Sequence, residues 1–288
     1  MSFVRNCLMT VVLAIGVFTT AKAYGETAPA AGFGVSLGPS IVRLAGTPGE
    51  SQSAKVKVWN KSRNSMKFTL SVRDVGNQVD ANGRLDRIFP PPGTLAHSCA
   101  KWILLQEKEF EVPAGGQKEV TLIVSSPSDA AGGKAAVIFF TGVPGETPKA
   151  GDQKDKPSTS VQIVPRLGVL VFFETKGTLK RSGKIGDFAV QAPVEGSPMT
   201  IRYSFENLGN ADILVSGTFY ILDQNKALVA KDNLDSIRTF PSDKGLGKTQ
   251  WKGILKPGQY HLVATFELGP DTEEVIVKET DFAIPPAV

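Results

Sequence analysis

The sequence predicts an all-β protein made of two immunoglobulin-like β-sandwich domains in tandem. Apolar and polar residues alternate with period two through many short segments, as in strands that bury one face. Clusters of turn-forming residues separate these segments at regular intervals. No segment carries a clear apolar stripe of helical period. Short strands joined by turns, without intervening helices, favour sandwiches over a parallel sheet.

In the first half of the chain, three segments show the alternation most clearly: Lys55–Trp59, Phe68–Arg73 and Val120–Val124. Two further runs, Ala135–Phe140 and Val161–Phe173, are apolar at consecutive positions. Strands covered on both faces have this composition, so we predict that both runs form central strands.

Polar segments rich in glycine and proline set the predicted domain boundaries. We assign residues 35–174 to the first sandwich, 175–184 to a linker and 185–288 to the second sandwich. The segment at 144–160 is interpreted as a long hairpin loop, because the apolar run after it is needed to complete the first sandwich. If that segment were the linker instead, the boundary would move to about residue 150.

The second half repeats the strand pattern and adds a more specific signal. Leu255–Tyr260 reads Leu-x-Pro-Gly-x-Tyr, which predicts a tyrosine corner in which Tyr260 hydrogen-bonds to the chain a few residues upstream. Gly247-Lys248-Thr249 is similar to part of a phosphate-binding loop, but Ser242 stands where the full pattern requires glycine. We interpret this segment as a loop before Trp251.

The N-terminal residues predict export. Arg5 precedes an apolar run from Leu8 to Phe18, and Ala21-Lys22-Ala23 has the small-x-small form of a cleavage site. We therefore predict a signal peptide at 1–23 and a flexible lead at 24–34, with the mature chain in the periplasm or at the cell surface. An uncleaved membrane anchor is the alternative, and the run is short of the roughly 20 residues that a span needs.

Composition excludes several function classes. Arg5 and Lys22 leave with the signal, so the 32 basic residues fall to 30 against 28 acidic ones, a net charge of +2. Such a weak field does not favour nucleic acid or stable attachment to an anionic membrane. The remaining cysteine, Cys99, has no partner for an intramolecular disulfide and is interpreted as a small buried hydrophobe.

The sequence offers no convincing catalytic constellation. The two histidines, His97 and His261, fall in different predicted domains, and each is expected at the surface or half-buried. A metal site or a histidine-based triad needs partners that this pattern does not supply. We therefore expect no enzyme activity, no cofactor and no metal.

Several motifs of the first half resemble the PapD-like family of periplasmic pilus chaperones. The matching segments are Val35-Ser36-Leu37, Val58–Ser62, Ser98–Ile103 with Phe110, Pro113 and Val120, and the long apolar strand within Val161–Phe173. The same motifs also resemble the first domain of WxL-interacting proteins of Gram-positive surfaces. The resemblance covers most of residues 35–174.

The resemblance implies that the long strand adds to the sheet edge of a partner protein. The side chains expected to contact the partner alternate along that strand: Val161, Ile163, Leu167, Val169 and Val171. The family anchors its client's terminal carboxylate with an arginine and a lysine, and those positions hold Ile41 and Leu170 here. Arg43 and Arg166 are the nearest cations and complete the predicted binding set.

Two functions follow as hypotheses. The first is a chaperone-like periplasmic protein that binds exported, β-rich surface or filament subunits by edge-strand addition. The second is a cell-envelope or surface-adhesion module that binds an envelope component.

Overall fold

The computed structural model describes residues 34–80, 85–145, 164–193, 197–269, 272 and 274–286. The predicted signal peptide with its cleavage point, most of the predicted lead and most of the predicted hairpin loop lie outside these residues. Among the described residues, no helix has the length and apolar character needed to cross a membrane.

The first sandwich contains β1 to β11, which form two main sheets and a small hairpin. The strands are β1 (Val35–Gly38), β2 (Ile41–Gly46), β3 (Ser51–Asn60), β4 (Met66–Arg73), β5 (Gly76–Val79), β6 (Leu85–Ile88), β7 (Ile103–Leu105), β8 (Glu109–Val112), β9 (Gln117–Ser125), β10 (Gly133–Pro144) and β11 (Arg166–Thr175). One sheet has the order β1-β3-β9-β7, the other has the order β2-β11-β10-β4-β8, and β5 pairs with β6.

The core between the two main sheets is built from the inward residues of alternating strands. Phe68, Phe140 and Phe173 are almost fully buried there, and Val56 and Val120 face them from the opposite sheet. The predicted strands at Lys55–Trp59, Phe68–Arg73 and Val120–Val124 lie within β3, β4 and β9. Ala135–Phe140 is buried at every position, which is the pattern that its apolar composition predicts.

The second sandwich contains two sheets, with the orders β12-β13-β16 and β15-β14-β17-β18. Its strands are β12 (Gly183–Gln191), β13 (Met199–Asn207), β14 (Ile213–Asp223), β15 (Leu228–Thr239), β16 (Lys244–Trp251), β17 (Gly258–Glu267) and β18 (Val275–Ile284). Phe205, Phe219 and Phe266 fill its core and are fully buried. The all-β architecture of two immunoglobulin-like sandwiches is thus confirmed.

One local prediction in the second sandwich is confirmed and one is wrong. The hydroxyl of Tyr260 donates a 2.8 Å hydrogen bond to the carbonyl oxygen of Lys256, which forms the predicted corner. Gly247-Lys248-Thr249 is not a loop, because it lies inside β16 and pairs with β13. A Cβ atom at Gly247 would lie 2.1 Å from the ring of Tyr203. The glycine is there to make room for that ring, and a glycine-rich strand of this kind has no alternating apolar pattern.

Charged side chains join the two sandwiches. The Arg43 guanidinium on β2 donates to both carboxylate oxygens of Asp212 in the second sandwich, at 2.8 and 3.3 Å. Arg238 on β15 also donates to Asp212. Glu174, at the end of β11 in the first sandwich, accepts hydrogen bonds from Arg43 at 3.1 Å and from Arg181 at 2.6 Å. The side chain of Asp212 is only 4% exposed, so this network is a partly buried part of the contact between domains.

Aromatic rings form the apolar part of the same contact. Phe240, in the turn between β15 and β16, is fully buried among residues of the first sandwich. Its ring stacks on His97 with centroids 5.0 Å apart and lies 6.4 Å from Phe172 of β11. His97 was predicted at the surface or half-buried, and that prediction is wrong, because the residue is buried and its Nε2 lies 2.9 Å from the carbonyl oxygen of Val75.

The remaining cysteine matches its predicted role. Cys99 is fully buried against Ala100 and Ala136, and burial raises the pKa of its thiol. A thiol held neutral in apolar surroundings is a poor nucleophile, so Cys99 acts as a small core residue.

Candidate partner-binding edge

Strand β11 has one edge fully paired and one edge only partly covered. On one side it runs antiparallel to β10 from Arg166 to Glu174. On the other side it runs parallel to β2, and this pairing begins only at Leu170. The first four residues of β11 therefore lie at an edge of the sheet that β2 does not reach.

Hydrogen-bond alternation shows which backbone groups point to that edge. The Gly142 N–H donates to the carbonyl oxygen of Pro165 at 2.9 Å. The backbone N–H and C=O groups of odd-numbered residues in this segment therefore point toward β10. The Leu170 N–H donates to the carbonyl oxygen of Ser40 at 3.0 Å, so the backbone groups of even-numbered residues point toward the β2 side of the strand. The N–H and C=O groups of Arg166 and Gly168 therefore point outward, and no described residue pairs with them. Such a row of free groups is a template for another strand.

The side chains of β11 divide between two faces. Val169 and Val171 are fully buried in the core of the first sandwich, and Leu167 packs against the same core while half-exposed. Val161 and Ile163, the other two predicted contact residues, lie outside the described residues. The partner-binding role of these five residues stays a prediction, and the side chains of Val169 and Val171 are fully buried in this structure.

The opposite face of β11 looks toward the second sandwich and carries the predicted cations. The Arg166 guanidinium lies 3.8 Å from the centroid of the Phe139 ring on β10. The Arg43 guanidinium lies 4.3 Å from the centroid of the Phe172 ring, besides its ion pairs with Asp212 and Glu174. The two arginines therefore differ, since Arg43 helps to hold the domains together whereas Arg166 stands beside the free edge.

Ile41 and Leu170, at the positions where the resemblance implied an arginine and a lysine, are direct cross-strand partners. Ile41 is 41% exposed and Leu170 is half-buried. The place where β2 begins to cover β11 is thus marked by an apolar pair. Neither of these two side chains offers a charge to a carboxylate terminus.

Burial shifts the ionisation of groups deeper in the interdomain contact. Burial raises the pKa of the Asp243 carboxyl, although backbone N–H donation from Phe240 and nearby positive charge oppose the shift. Burial lowers the pKa of both Arg87 and Arg238. The Arg87 guanidinium lies 5.1 Å from the centroid of the Phe240 ring. These groups are desolvated by the docking of the two sandwiches and belong to the structural contact, away from the free edge.

The sequence did not reveal two residues that shape the edge. Gly168 has no side chain and so adds nothing to a pattern of polar and apolar residues. Phe139 lies in a run in which every residue is apolar, so the pattern does not distinguish it from its neighbours. The pairing of Phe139 with Gly168 across β10 and β11 becomes visible only with the register.

Comparison with known proteins finds similarity among solved structures. No protein-family model and no curated protein matches the chain. Among solved structures, a chaperone–tip adhesin complex of CFA/I fimbriae is 12% identical, with a TM-score of 0.46, and the match covers 85% of this chain and 97% of that one. The class 5 fimbriae chaperone CfaA is 13% identical, with a TM-score of 0.45 and coverage of 87% and 99%.

A third similar structure is the CsuC–CsuE chaperone–tip subunit pre-assembly complex of Acinetobacter baumannii. It is 11% identical, with a TM-score of 0.44, and the match covers 85% of this chain and 97% of that one. Fimbrial chaperones are the class of protein that the sequence resemblance predicted.

Proposed function

We propose that this chain is a chaperone-like periplasmic protein that binds exported, β-rich surface or filament subunits through the free edge of β11. The proposal rests on the backbone of Arg166 and Gly168, which points outward next to the start of β2 and pairs with none of the residues that the structure describes. An extended segment of a partner could continue the line of β2 along β11 and satisfy these groups. Main-chain hydrogen bonds would then supply affinity for many related sequences.

Two further observations support binding rather than chemistry. The groups around the edge are apolar side chains, backbone amides and the Arg166 guanidinium, which suit recognition of an extended peptide. The interdomain network holds the second sandwich against β2 and the end of β11, so the strand that carries the edge is held in place by ion pairs. A preorganised edge loses less conformational freedom when a partner strand adds to it.

The proposal predicts that Gly168→Pro removes partner binding while the chain still folds. Proline lacks the outward N–H, whereas the ladder with β10 does not use that group. Loss of one main-chain hydrogen bond and the clash of the ring with an incoming strand should lower captured partner by about tenfold or more. The measurement is quantitative mass spectrometry of proteins cross-linked to the tagged, exported chain in its own cells.

Gly168→Ala is the matched control. It adds the same Cβ contacts with Val137 and Phe139, at 3.2 and 3.3 Å, but it keeps the N–H. We expect Gly168→Ala to retain the captured subunit that Gly168→Pro loses. Equal capture by both variants and the unmodified chain would overturn edge addition, and it would favour an envelope-binding module that uses another surface.

A further inference from the structure

The free edge has a side-chain recess at Gly168. Arg166, Gly168 and Leu170 share the face of β11 that looks away from the core of the first sandwich, and the middle position has no side chain. Gly168 on β11 is paired with Phe139 on β10. This is a non-hydrogen-bonded pair, and side chains in such pairs approach closely. A Cβ atom at Gly168 would lie 3.2 Å from Cγ2 of Val137 and 3.3 Å from Cε1 of Phe139, so these two side chains border the space over the glycine.

The walls of this recess are mostly apolar. Phe139 is 8% exposed, and the exposed ring of Phe89 packs edge-on against it with centroids 5.0 Å apart. Leu170 and the exposed Ile41 close the side where β2 begins. A strand added along the free edge would place one side chain opposite Gly168. That side chain would reach the edge of the Phe139 ring, because no β11 side chain stands between them.

The positively charged side chain of Arg166 forms the remaining wall of the recess. The Arg166 guanidinium stacks on the Phe139 ring and forms no ion pair with any residue that the structure describes. Stacking holds the guanidinium in place while its N–H donors stay available at the rim of the recess. On an added strand, the residue opposite Arg166 lies two positions from the residue opposite Gly168, on the same face.

Building on the proposed function, we propose that the recess selects partner strands by two side chains. The strand carries an aromatic or other large apolar residue opposite Gly168 and an aspartate or glutamate two residues away, opposite Arg166. The aromatic residue packs edge-on against Phe139, and the carboxylate accepts hydrogen bonds from the guanidinium.

Charge argues against a second copy of this chain as the occupant. The segment from Val164 to Leu170 contains one arginine and no acidic residue. Pairing of two β11 edges would bring two arginines into one small surface and supply no carboxylate to either. A partner strand of opposite charge satisfies the edge better.

The test uses the purified chain and synthetic ten-residue peptides of alternating Thr and Val. On one face the peptides carry Phe and Asp two residues apart, in both orders, and the matched peptides replace Phe, Asp or both with Ala. We expect the Phe/Asp peptide to bind about five- to tenfold more tightly than the Ala/Asp peptide by fluorescence anisotropy. Gly168→Val fills the recess and keeps the N–H, so it should abolish the preference for Phe. Arg166→Gln should abolish the preference for Asp.

A valine in another edge strand is the control. Gly186 lies in β12 at the edge of the second sandwich, and a Cβ atom there would meet only the hydroxyl of Ser204, at 3.1 Å. Gly186→Val should leave every peptide affinity unchanged.

The outcomes separate this inference from the function on which it rests. Equal affinities for the Phe and Ala peptides, with slowed hydrogen exchange at the Gly168 amide, would overturn the recess and leave edge addition standing. If no peptide binds and no exchange slows, both are overturned. A dimer of the chain that Gly168→Pro dissociates would assign the edge to a second copy and overturn the recess.

Discussion

Asp212→Ala is expected to destabilise the protein by about 3–5 kcal/mol, because the change leaves buried positive charge without its partner. Asp212 receives hydrogen bonds from Arg43 of the first sandwich and from Arg238 of the second. The side chain of Arg238 is 14% exposed and cannot be solvated freely, whereas that of Arg43 is 41% exposed and contributes less. Guanidinium chloride unfolding, followed by tryptophan fluorescence, measures the loss.

An exposed ion pair of the second sandwich supplies the control. Lys184 and Glu206 lie 2.8 Å apart, with side chains that are 64% and 41% exposed. Glu206→Ala should cost only about 0–1 kcal/mol, because water screens such a pair. An Asp212→Ala variant that unfolds at the same denaturant concentration as Glu206→Ala would contradict a buried interdomain network.

Val169→Asp is expected to prevent the first sandwich from folding. The change removes a fully buried valine, worth about 1.5–3 kcal/mol, and places a carboxylate in the core at a cost of several more. Whole domains are stable by only about 5–15 kcal/mol. Near-ultraviolet circular dichroism of the purified chain should lose the signal of the first sandwich.

The same chemical change at an exposed valine distinguishes burial from charge. Val143 on β10 is 41% exposed and pairs with Lys67. Val143→Asp should fold normally, since water and the lysine solvate its carboxylate. A folded Val169→Asp variant would show that this residue does not belong to the core and would return it to the partner-binding face.

Period-two alternation predicted strands well, but it could not say what covers them. Val169 and Val171 lie two residues apart in an apolar run, and this composition suits a strand that faces a partner and one that faces its own core. Only the packing of β11 against β10 and the opposite sheet decides between these, and it assigns both residues to the core.

Contacts between distant parts of the chain had no local signature at all. Arg43 and Asp212 are 169 residues apart, and neither stands in a pattern that links it to the other. The free edge depends on where β2 begins to pair with β11, which is again a long-range register. The tyrosine corner could be predicted because its hydrogen bond spans only four residues, from Tyr260 to Lys256.

The sequence of β16 does not show the pattern of a strand, for a different reason. Its glycines at positions 245 and 247 remove the apolar alternation, and each is required by a side chain packed over it. Tyr203 lies over Gly247, and Thr239 and Ile237 lie over Gly245. A glycine that makes room for a neighbouring side chain cannot be distinguished in the sequence from a glycine in a loop. Composition alone therefore favours a loop at this segment.

Amide hydrogen exchange, measured on the chain in complex with its captured subunit, tests strand addition at the edge of β11. We expect the N–H groups of Arg166 and Gly168, which point outward and pair with no described residue, to exchange rapidly in the free chain and to become protected in the complex. The N–H of Leu170, already bonded to Ser40, should change little. Equally rapid exchange at Arg166 and Gly168 in the free chain and in the complex would contradict strand addition at this edge.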